Sequence, residues 1–278
     1  MSDCHIFTDV DLTKGERFSF AGGEAAVVSA KKPEREGPNE DAAALISVGN
    51  DAGVAVVSDG AGGHPGGAHA ASIAVRAVCD AVAQVGDDAG RLRDAIINGF
   101  ESADKAISSS GTGAAATLAV VEIQGDTMRT YHAGDSMVLV TGQRGHIKWL
   151  TVPHSPVGYA VEAGLLDRGD ALHHEDLHLV SNVLGTQDMR IELGAPLPLA
   201  PRDTVVLASD GLSDNVHLDE IVERVRKGPL QKAVDDLAGL GSHRMRPSNH
   251  STPSKPDDMT FIAIRRARPR RSRVRPTE

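Results

Sequence analysis

The hydrophobic positions along this chain of 278 residues change their period several times. Short apolar runs between turns rich in glycine, asparagine and aspartate predict strands. These runs occupy 25–30, 42–48, 54–57, 115–123, 127–132, 137–140, 146–150, 190–193, 204–209 and 259–264. Apolar residues at a period of about 3.6 predict helices near 67–85, 92–107, 218–227 and 230–240. Because strands follow strands and helices follow helices, this order favours an α+β fold over alternating βαβ units.

Aspartates stand at the ends of five short apolar runs, at Asp41, Asp59, Asp135, Asp210 and Asp257. Two pairs among them make a geometric prediction. Asp41 directly precedes one apolar run, Asp59 directly follows the next, and a Gly-Asn-Asp-Ala-Gly turn at 49–53 separates the two runs. If the two runs form a hairpin, both carboxylates lie at its open end. Asp210 and Asp257 stand in the same relation to their own flanking strands, so they too would share an end if those strands were antiparallel neighbours.

These four carboxylates have no comparable basic partner in the local sequence. Side by side they would repel one another, and proteins tolerate such a cluster mainly when cations neutralise it. Oxygen ligands suit Mg²⁺, Mn²⁺ or Ca²⁺ better than Zn²⁺. A role in forming a turn is sufficient to explain one Asp before Gly, but it is a poor explanation for aspartates at the ends of so many strands. The pattern therefore indicates a site for divalent cations.

The charge of the chain is unevenly distributed. The whole chain carries −9, and the last fourteen residues hold seven arginines and one glutamate, a net +6, which leaves −15 on residues 1–264. An acidic body argues against a main domain that binds nucleic acid, because phosphate backbones require a basic face. The arginines at 265–278 could contact anionic lipid, RNA or an acidic partner, but a disordered, solvated tail is the simpler interpretation.

Composition and segment lengths define the class of protein. Hydrophobic residues make up 40% of the chain, which is enough for a large core. Two cysteines cannot build a disulfide framework, the apolar runs fall far short of the ~20 residues that span a membrane, and no signal peptide opens the chain. We therefore expect a soluble cytoplasmic protein with a lead segment at 1–23, one domain at 24–264 that contains a small helical insert at 155–180, and the tail at 265–278.

Seven short motifs follow one another in an order that resembles one known family. They are Asn39-Glu40-Asp41, Asp59-Gly60-Ala61-Gly62-Gly63-His64, Gly111-Thr112 to Leu118, Gly134-Asp135-Ser136, Leu150-Thr151 to His154-Ser155, Ser209-Asp210-Gly211-Leu212 and Asp257-Asp258-Met259-Thr260. Each motif alone is weak, but seven in the right order over residues 24–264 are specific. The chain resembles the metal-dependent Ser/Thr protein phosphatases of type 2C in their bacterial form.

This resemblance implies a four-layer α-β-β-α sandwich with two central antiparallel sheets and a metal centre in the cleft at one end. It implies two Mg²⁺ or Mn²⁺ ions and a third, weaker one. The implied ligands are Asp59, Asp210 and Asp257 for the first ion, Asp59, Asp41 and the Gly60 carbonyl for the second, and Asp135 with Asp210 for the third. Two such ions lower the pKa of a bridging water and neutralise the phosphoryl oxygens, so no protein nucleophile is required.

The chain departs from the family pattern at the residue that grips the substrate phosphate. The family places an Arg three residues before Asn39, where this chain has Glu36. Arg35 stands one residue further back and is the candidate clamp, because Arg makes strong charge-assisted contacts to phosphate. Lys31 and Lys32 are possible substitutes, and a solvated loop charge is the alternative explanation of Arg35.

A second departure concerns the proton donor for the leaving serine. Some members of the family use a His two residues after the bridging Asp, and Ala61 stands at that position here. His64 is the nearby candidate for a general acid, with helix capping or simple exposure as the alternative role and metal-bound water as the alternative donor.

The leading hypothesis is a Mg²⁺- or Mn²⁺-dependent phosphatase that acts on phosphoserine and phosphothreonine in phosphorylated proteins and opposes Ser/Thr kinases. The insert at 155–180 would be the flap beside the cleft. One alternative is a phosphatase of a phosphorylated regulator, such as an anti-sigma-factor antagonist, although its usual sensor domain has no room in this chain. The other is a non-catalytic phosphoprotein-binding module of the same fold, which the displaced Arg35 favours and the retained acidic positions oppose.

Overall fold

The structure, a computed structural model, describes residues 3–34, 36–61, 66–246 and 253–266. Its strands are β1 (Cys4–Thr8), β2 (Leu12–Phe20), β3 (Gly23–Ala30), β4 (Asp41–Val48), β5 (Ala52–Ala61), β6 (Ala115–Ala116), β7 (Leu118–Gln124), β8 (Thr127–Ala133), β9 (Met137–Thr141), β10 (Ile147–Leu150), β11 (Glu192–Leu193), β12 (Leu197–Pro198), β13 (Thr204–Ala208) and β14 (Met259–Arg266). Its helices are α1 (Gly66–Ala83), α2 (Leu92–Ser109), α3 (Pro156–Glu162), α4 (Arg168–Ala171), α5 (Asp210–Ser213), α6 (Leu218–Val225) and α7 (Leu230–Arg244), with a 3₁₀ turn at Ala89–Arg91.

The strands form two sheets. Sheet A has the order β1-β4-β5-β7-β8-β11, with β12 also paired to β8 and β6 to β5. Sheet B has the order β10-β9-β13-β14-β3-β2. Neighbouring strands are antiparallel throughout both sheets in the described part of the chain.

Three hydrophobic clusters separate four layers. One lies between sheet A and helices α1 and α2, the second fills the space between the sheets, and the third lies between sheet B and helices α5 to α7. Residues 42–46 of β4 form a continuous apolar run that is covered on both faces: Ala44 and Ile46 belong to the helix-facing cluster, whereas Ala43 and Leu45 belong to the cluster between the sheets. The predicted four-layer α-β-β-α sandwich with two central antiparallel sheets is confirmed.

Both predicted strand pairs are present. In the hairpin of β4 and β5, Asp41 stands directly opposite Asp59. In sheet B, β13 and β14 pair antiparallel, so Asp210 follows one strand at the end where Asp257 precedes the other. Desolvation raises the pKa of both sheet A acids, and the four carboxylates lie close enough for the charges of Asp210 and Asp257 to raise it further.

The structure adds two strands that the hydrophobic pattern did not predict. Strand β1 pairs with β4 and β2 pairs with β3, so the segment at 1–23 contributes an edge strand to each sheet. Strand β2 is largely exposed and contains a register shift. A sequence without a continuous buried face therefore still forms a strand there, because the backbone of β3 offers hydrogen bonds along its open edge.

The last strand extends to Arg266, two residues beyond its predicted end. Arg265 is buried, and its guanidinium donates to Thr204 Oγ1 at 3.1 Å and to the carbonyl oxygens of Val225 and Gly228. The assignment of Arg265 and Arg266 to a disordered tail is thus corrected, because these oxygens satisfy the Arg265 charge inside the fold. Residues 267–278 lie outside the described residues.

The insert at 155–180 contains the short helices α3 and α4, as its weak periodicity predicted. Helix α7 continues to Arg244, four residues beyond its predicted end. Among the helices of the described ranges, none is long and apolar enough to cross a membrane.

Candidate metal centre

Asp41 and Asp59 form the sheet A side of the candidate metal centre. Asp41 is buried, its Oδ2 accepts a hydrogen bond from Ser209 Oγ at 2.7 Å, and its N–H donates to Asn39 Oδ1 at 2.9 Å. Thr117 holds the end of β5, since its N–H donates to Asp59 O at 2.8 Å and its Oγ1 accepts from the Asp59 N–H at 3.0 Å. Neighbouring backbone and hydroxyl groups therefore fix where both carboxylates stand.

Asp210 and Asp257 form the sheet B side, together with two residues that the sequence did not identify. Lys255 Nζ lies 2.5 Å from Asp210 Oδ2, 2.8 Å from Asp214 Oδ2 and 4.0 Å from Asp257 Oδ2. The expectation that the acids have no basic partner is therefore wrong. Lys255 lies two residues before Asp257 in the sequence, but its shortest contacts are to Asp210 and Asp214, 45 and 41 positions away.

Asp135 approaches the cluster from the turn that follows β8. Gly134, just before it, has a φ of +111°, and a Cβ at this position would lie 2.5 Å from Thr117 Cβ. The turn therefore requires glycine. The Gly134 N–H donates to His154 Nδ1 at 3.1 Å. Thr117 thus supports the end of β5 and packs against the Gly134 turn, and His154 accepts a hydrogen bond from the backbone of that turn.

The carboxylates act on one another's protonation. Desolvation raises the pKa of Asp59 well above its ordinary value, and the charges of Asp210 and Asp41 raise it further. Desolvation and the charge of Asp210 also raise the pKa of Asp135 to about 7. The same two causes raise the pKa of Asp257 to about 6, although the charge of Lys255 opposes the shift. Additional positive charge would favour the ionised forms of these acids.

The atoms gathered here fit hard divalent cations. Among the described residues the cluster offers carboxylate oxygens, the ligand type that Mg²⁺ and Mn²⁺ prefer. A Cβ at Gly60 would lie 2.0 Å from Gly67 O and 2.8 Å from Glu40 O, so only glycine permits this close backbone approach. The ammonium of Lys255 already lies among the acids and shows that the environment attracts positive charge.

Asp258 stands where the family usually has an Asn, and the structure gives it a local role. Its carboxylate accepts hydrogen bonds from the backbone N–H groups of Lys32 and Glu40, both at 2.7 Å. These contacts tie the start of β14 to the loop that precedes Asp41. The additional negative charge is thus offset by two backbone donors.

The predicted phosphate clamp and general acid, Arg35 and His64, lie outside the described residues. Of the two lysines considered as substitutes, Lys31 contacts Asp9 Oδ1 at 2.9 Å and donates to Gly37 O at 3.1 Å, so it is engaged away from the acids. The charge of Lys32, in contrast, acts on Asp257. Lys32 is therefore the better placed of the two for contact with an anionic group.

A second group of ligand-type side chains adjoins Gly134. Single ligand atoms of His132, His154 and Glu192 lie within 4.8 Å of one another, and the two imidazole rings stack at 4.4 Å. His154 Nδ1 accepts from the Gly134 N–H, and Asn182 Nδ2 lies 2.8 Å from it. The ring proton is thereby assigned to Nε2, which donates to Glu192 Oε2 at 3.1 Å. Because both nitrogens of His154 are engaged, this group is a hydrogen-bonded support rather than an open metal site.

A cleft of about 850 Å³ opens beside the acids. Asp135, Asp210 and Asp214 line one part of it. Apolar side chains of β9, β10, the insert and α6 line much of the remainder, among them Met137, Leu150, Val157, Val161, Leu172, Leu177 and Val222. The cleft thus joins an acidic, cation-attracting end to a surface that accepts apolar groups.

The four-layer sandwich, with strand-end carboxylates beside a cleft, matches the fold of solved Ser/Thr protein phosphatases. A family model described as protein phosphatase 2C matches residues 31–240, and the chain belongs to this family. Metal-dependent catalysis on phosphoserine and phosphothreonine is typical of this family. The predicted family, fold and enzyme class are therefore confirmed.

Two relatives illustrate the degree of similarity. A putative protein phosphatase 2C-type of Streptococcus pyogenes is 28% identical over 196 residues, which cover 66% of this chain and 79% of that protein. Protein phosphatase PhpP of Streptococcus pneumoniae is 29% identical over 198 residues, which cover 68% of this chain and 79% of that protein.

Solved structures show the same fold. The serine/threonine phosphatase of S. agalactiae superimposes with a TM-score of 0.73 at 23% identity, covering 87% of this chain and 98% of that one. The catalytic domain of the phosphatase PstP, solved in complex with two manganese ions, gives a TM-score of 0.66 at 22% identity, covering 88% and 98%. The similarity thus extends over nearly the whole length of the solved chains.

Proposed function

We propose that this chain hydrolyses phosphoserine and phosphothreonine esters of phosphorylated proteins and so reverses the action of Ser/Thr kinases. The observation that carries this proposal is that strand-end aspartates from two sheets come together, with Asp135 and Asp210 lining the adjoining cleft. Such a gathering of carboxylates is costly in a folded protein unless cations neutralise it. The cluster therefore supports a role in metal-assisted hydrolysis rather than in stabilising the fold.

The proposed ligands follow the pattern of the acids. They are Asp59, Asp210 and Asp257 for one ion, and Asp59, Asp41 and the Gly60 carbonyl for the other, with Asp135 beside Asp210. Mg²⁺ or Mn²⁺ bound there would lower the pKa of a water molecule and neutralise the phosphoryl oxygens. Asp59 is the shared ligand, since it stands opposite Asp41 and interacts most strongly with Asp210 among its charged neighbours.

The serines beside these acids support the site but do not act as nucleophiles. Ser58 Oγ donates to Thr117 O at 2.6 Å, and Ser136 Oγ lies 2.7 Å from Thr117 Oγ1. Ser209 Oγ donates to Asp41. All three hydroxyls are buried and engaged, so the attacking oxygen in this proposal comes from water.

Residues at the mouth of the cleft would bind the substrate phosphate. Arg35 keeps its proposed role as phosphate clamp and His64 its proposed role as general acid, both on the basis of the sequence. Lys32 adds a positive charge close to Asp257. A dianionic phosphate is attracted by such charges, and an Arg can hold two of its oxygens at once.

The apolar part of the cleft would contact the peptide around the phosphorylated residue. It is formed largely by the insert at 155–180, which we propose acts as the flap that selects among phosphoproteins. We place these encounters in the cytoplasm, since Cys4 and Cys79 are both free thiols and free thiols are usual in reducing compartments.

Hydrolysis of a phosphothreonine peptide tests the proposal. The protein is expected to release phosphate in the presence of Mn²⁺, to stop when EDTA is added, and to resume when Mn²⁺ is restored. Peptide binding is measured in parallel by fluorescence anisotropy. A protein that binds the peptide in Mn²⁺ without hydrolysing it would instead be a phosphoprotein-binding module.

A further inference from the structure

Lys255 places a positive charge inside the acidic cluster, where the metal centre would otherwise have a third cation position. We propose that the ammonium of Lys255 occupies this position permanently, so that the centre binds two divalent ions and not three. The inference rests on the proposed function for the identity of the other two positions. It concerns a residue that lies between Asp210 and Asp214 and that belongs to none of the sequence motifs.

The acids around the ammonium define which position it occupies. Lys255 Nζ is close to Asp210 Oδ2 and Asp214 Oδ2, at 2.5 and 2.8 Å, but 4.0 Å from Asp257 Oδ2. Asp135 interacts with the charges of both Asp210 and Lys255. The ammonium is thus paired with Asp210 and Asp214, and its charge also acts on Asp135.

The backbone of Lys255 is clamped to the helix that carries these acids. Asn215 is completely buried, and its Nδ2 donates to Lys255 O at 2.8 Å and to Gly211 O at 2.9 Å. Its Oδ1 accepts from the Lys255 N–H at 2.8 Å. One side chain thus satisfies both backbone groups of Lys255 and fixes the start of its side chain relative to Asp210 and Asp214.

Arg244 holds the same segment from the opposite side. It is buried, forms a two-bond ion pair with Glu220 at 2.7 and 3.0 Å, and donates to Asn215 O at 3.0 Å. Its own carbonyl accepts from Ser254 Oγ at 2.7 Å. Because residues 254 and 255 are both anchored, Lys255 is a pre-positioned group and differs from the exposed lysines of surface ion pairs.

A divalent ion could enter this position only by displacing the ammonium. Repulsion between a dication and an ammonium group a few ångströms away is large in a partly buried site. Displacement would also break two charge-assisted hydrogen bonds. The chain therefore supplies the third positive charge itself, at every metal concentration.

Counting bound Mn²⁺ ions tests the inference without using turnover. Equilibrium dialysis against Mn²⁺, followed by metal analysis, is expected to give two ions for the wild-type protein and three for Lys255→Met, which keeps an unbranched side chain but removes the charge. Adding Asp214→Asn to Lys255→Met is expected to return the count to two. Lys232→Met removes an exposed lysine paired with Asp236 and is expected to leave the count at two.

The wild-type count is decisive even if Lys255→Met folds poorly. Three ions on the wild-type protein would overturn the inference, and so would two ions on a folded Lys255→Met protein, because the position would then hold no cation of either kind. The counts are independent of catalysis. If the wild-type protein binds two ions and Lys255→Met binds three, but no peptide is hydrolysed, this inference is upheld and the proposed function is rejected. If the wild-type protein binds three ions and hydrolyses the peptide, the proposed function is upheld and this inference is rejected.

Discussion

Two clusters of ligand-type side chains lie on either side of the turn at Gly134, and they differ in how their lone pairs are used. In the histidine cluster, His154 accepts from Gly134 and donates to Glu192, so its ring nitrogens are engaged. In the aspartate cluster, desolvation and mutual repulsion raise the pKa of Asp59 and its neighbours. The hydrogen bonds of the histidine cluster are satisfied without a cation, whereas the carboxylates of the aspartate cluster would be stabilised by one.

The comparison shows that residue type alone does not make a metal site. Two buried histidines and a glutamate would be a familiar ligand set for Zn²⁺, yet the fixed backbone N–H of Gly134 determines the His154 tautomer and closes the site. In the aspartate cluster, Thr117 holds the backbone of Asp59 rather than its carboxylate, whereas Asp41, Asp210 and Asp257 each have one carboxylate oxygen that accepts a hydrogen bond. The hydrogen-bond partners of each ligand-type side chain therefore distinguish a structural cluster from a candidate metal site.

The largest expected effect within this comparison follows from Gly60→Ala. The new Cβ would meet the Gly67 and Glu40 carbonyl oxygens at 2.0 and 2.8 Å, and neither backbone can move without shifting β4 or α1. We expect the free energy of unfolding to fall by at least about 3 kcal/mol and Mn²⁺ binding to be lost, as measured by denaturant titration and equilibrium dialysis. Gly239→Ala, in α7 with open space around it, should instead stabilise by up to about 1 kcal/mol. Equal effects would contradict the close approach at Gly60.

Ser209→Ala probes the hydrogen bond that orients Asp41. Loss of this buried donor to a carboxylate is expected to lower the free energy of unfolding by about 1.5–3 kcal/mol and to weaken Mn²⁺ binding, measured by chemical denaturation and by metal titration. Ser213→Ala is the matched control, since its Oγ makes only a 3.5 Å contact to Asp210 O. Unchanged Mn²⁺ affinity in Ser209→Ala would argue against Asp41 as a ligand.

His154→Ala separates the two clusters directly. It leaves the Gly134 N–H without its acceptor, so we expect the free energy of unfolding to fall by about 1–3 kcal/mol, while the number of bound Mn²⁺ ions stays the same. His146→Ala removes an exposed histidine and should change neither quantity. Loss of one bound ion from His154→Ala alone would show that the histidine cluster holds metal.

The smallest effect concerns the pH dependence of stability. Burial and the nearby His154 lower the pKa of His132 below its ordinary value of 6.5. The unfolded chain therefore binds a proton that the folded protein does not, and stability is lost as the pH falls below about 6.5. The raised pKa values of Asp135, about 7, and Asp257, about 6, act in the opposite direction, so the test is the difference between the two proteins. Between pH 8 and pH 5, the Tm of the wild-type protein should fall relative to the Tm of His132→Asn. Parallel curves would mean that His132 titrates alike in both states.

Much of the site could be predicted from the sequence because strand ends and turns carry local signals. Asp41 and Asp59 flank a short turn signal, and their pairing follows from the hairpin alone. The approach of the two sheets is not local, yet the order of the apolar runs and the family resemblance together indicated it. The four layers followed from the family resemblance, whereas the order of strands and helices indicated only an α+β fold.

Other features depend on contacts between distant segments. Lys255 stands in a stretch rich in serine and proline that predicted an exposed loop, and Asn215 anchors it there across 40 positions. Arg265 belonged to a run of arginines, but the carbonyls that accept its hydrogen bonds lie near the end of α6. Hydrophobic periodicity cannot predict these contacts, because each one joins a single side chain to groups that are distant in the sequence.

The central claim is that Asp59 is shared by two divalent ions, and the paired variants Asp59→Asn and Asp135→Asn test it most directly. Both changes remove one negative charge and keep the side-chain shape. With a phosphothreonine peptide at saturating Mn²⁺, Asp59→Asn is expected to lose at least about 10²- to 10³-fold in kcat, and Asp135→Asn clearly less. Equal losses in kcat would contradict the assignment of Asp59 as the bridging ligand.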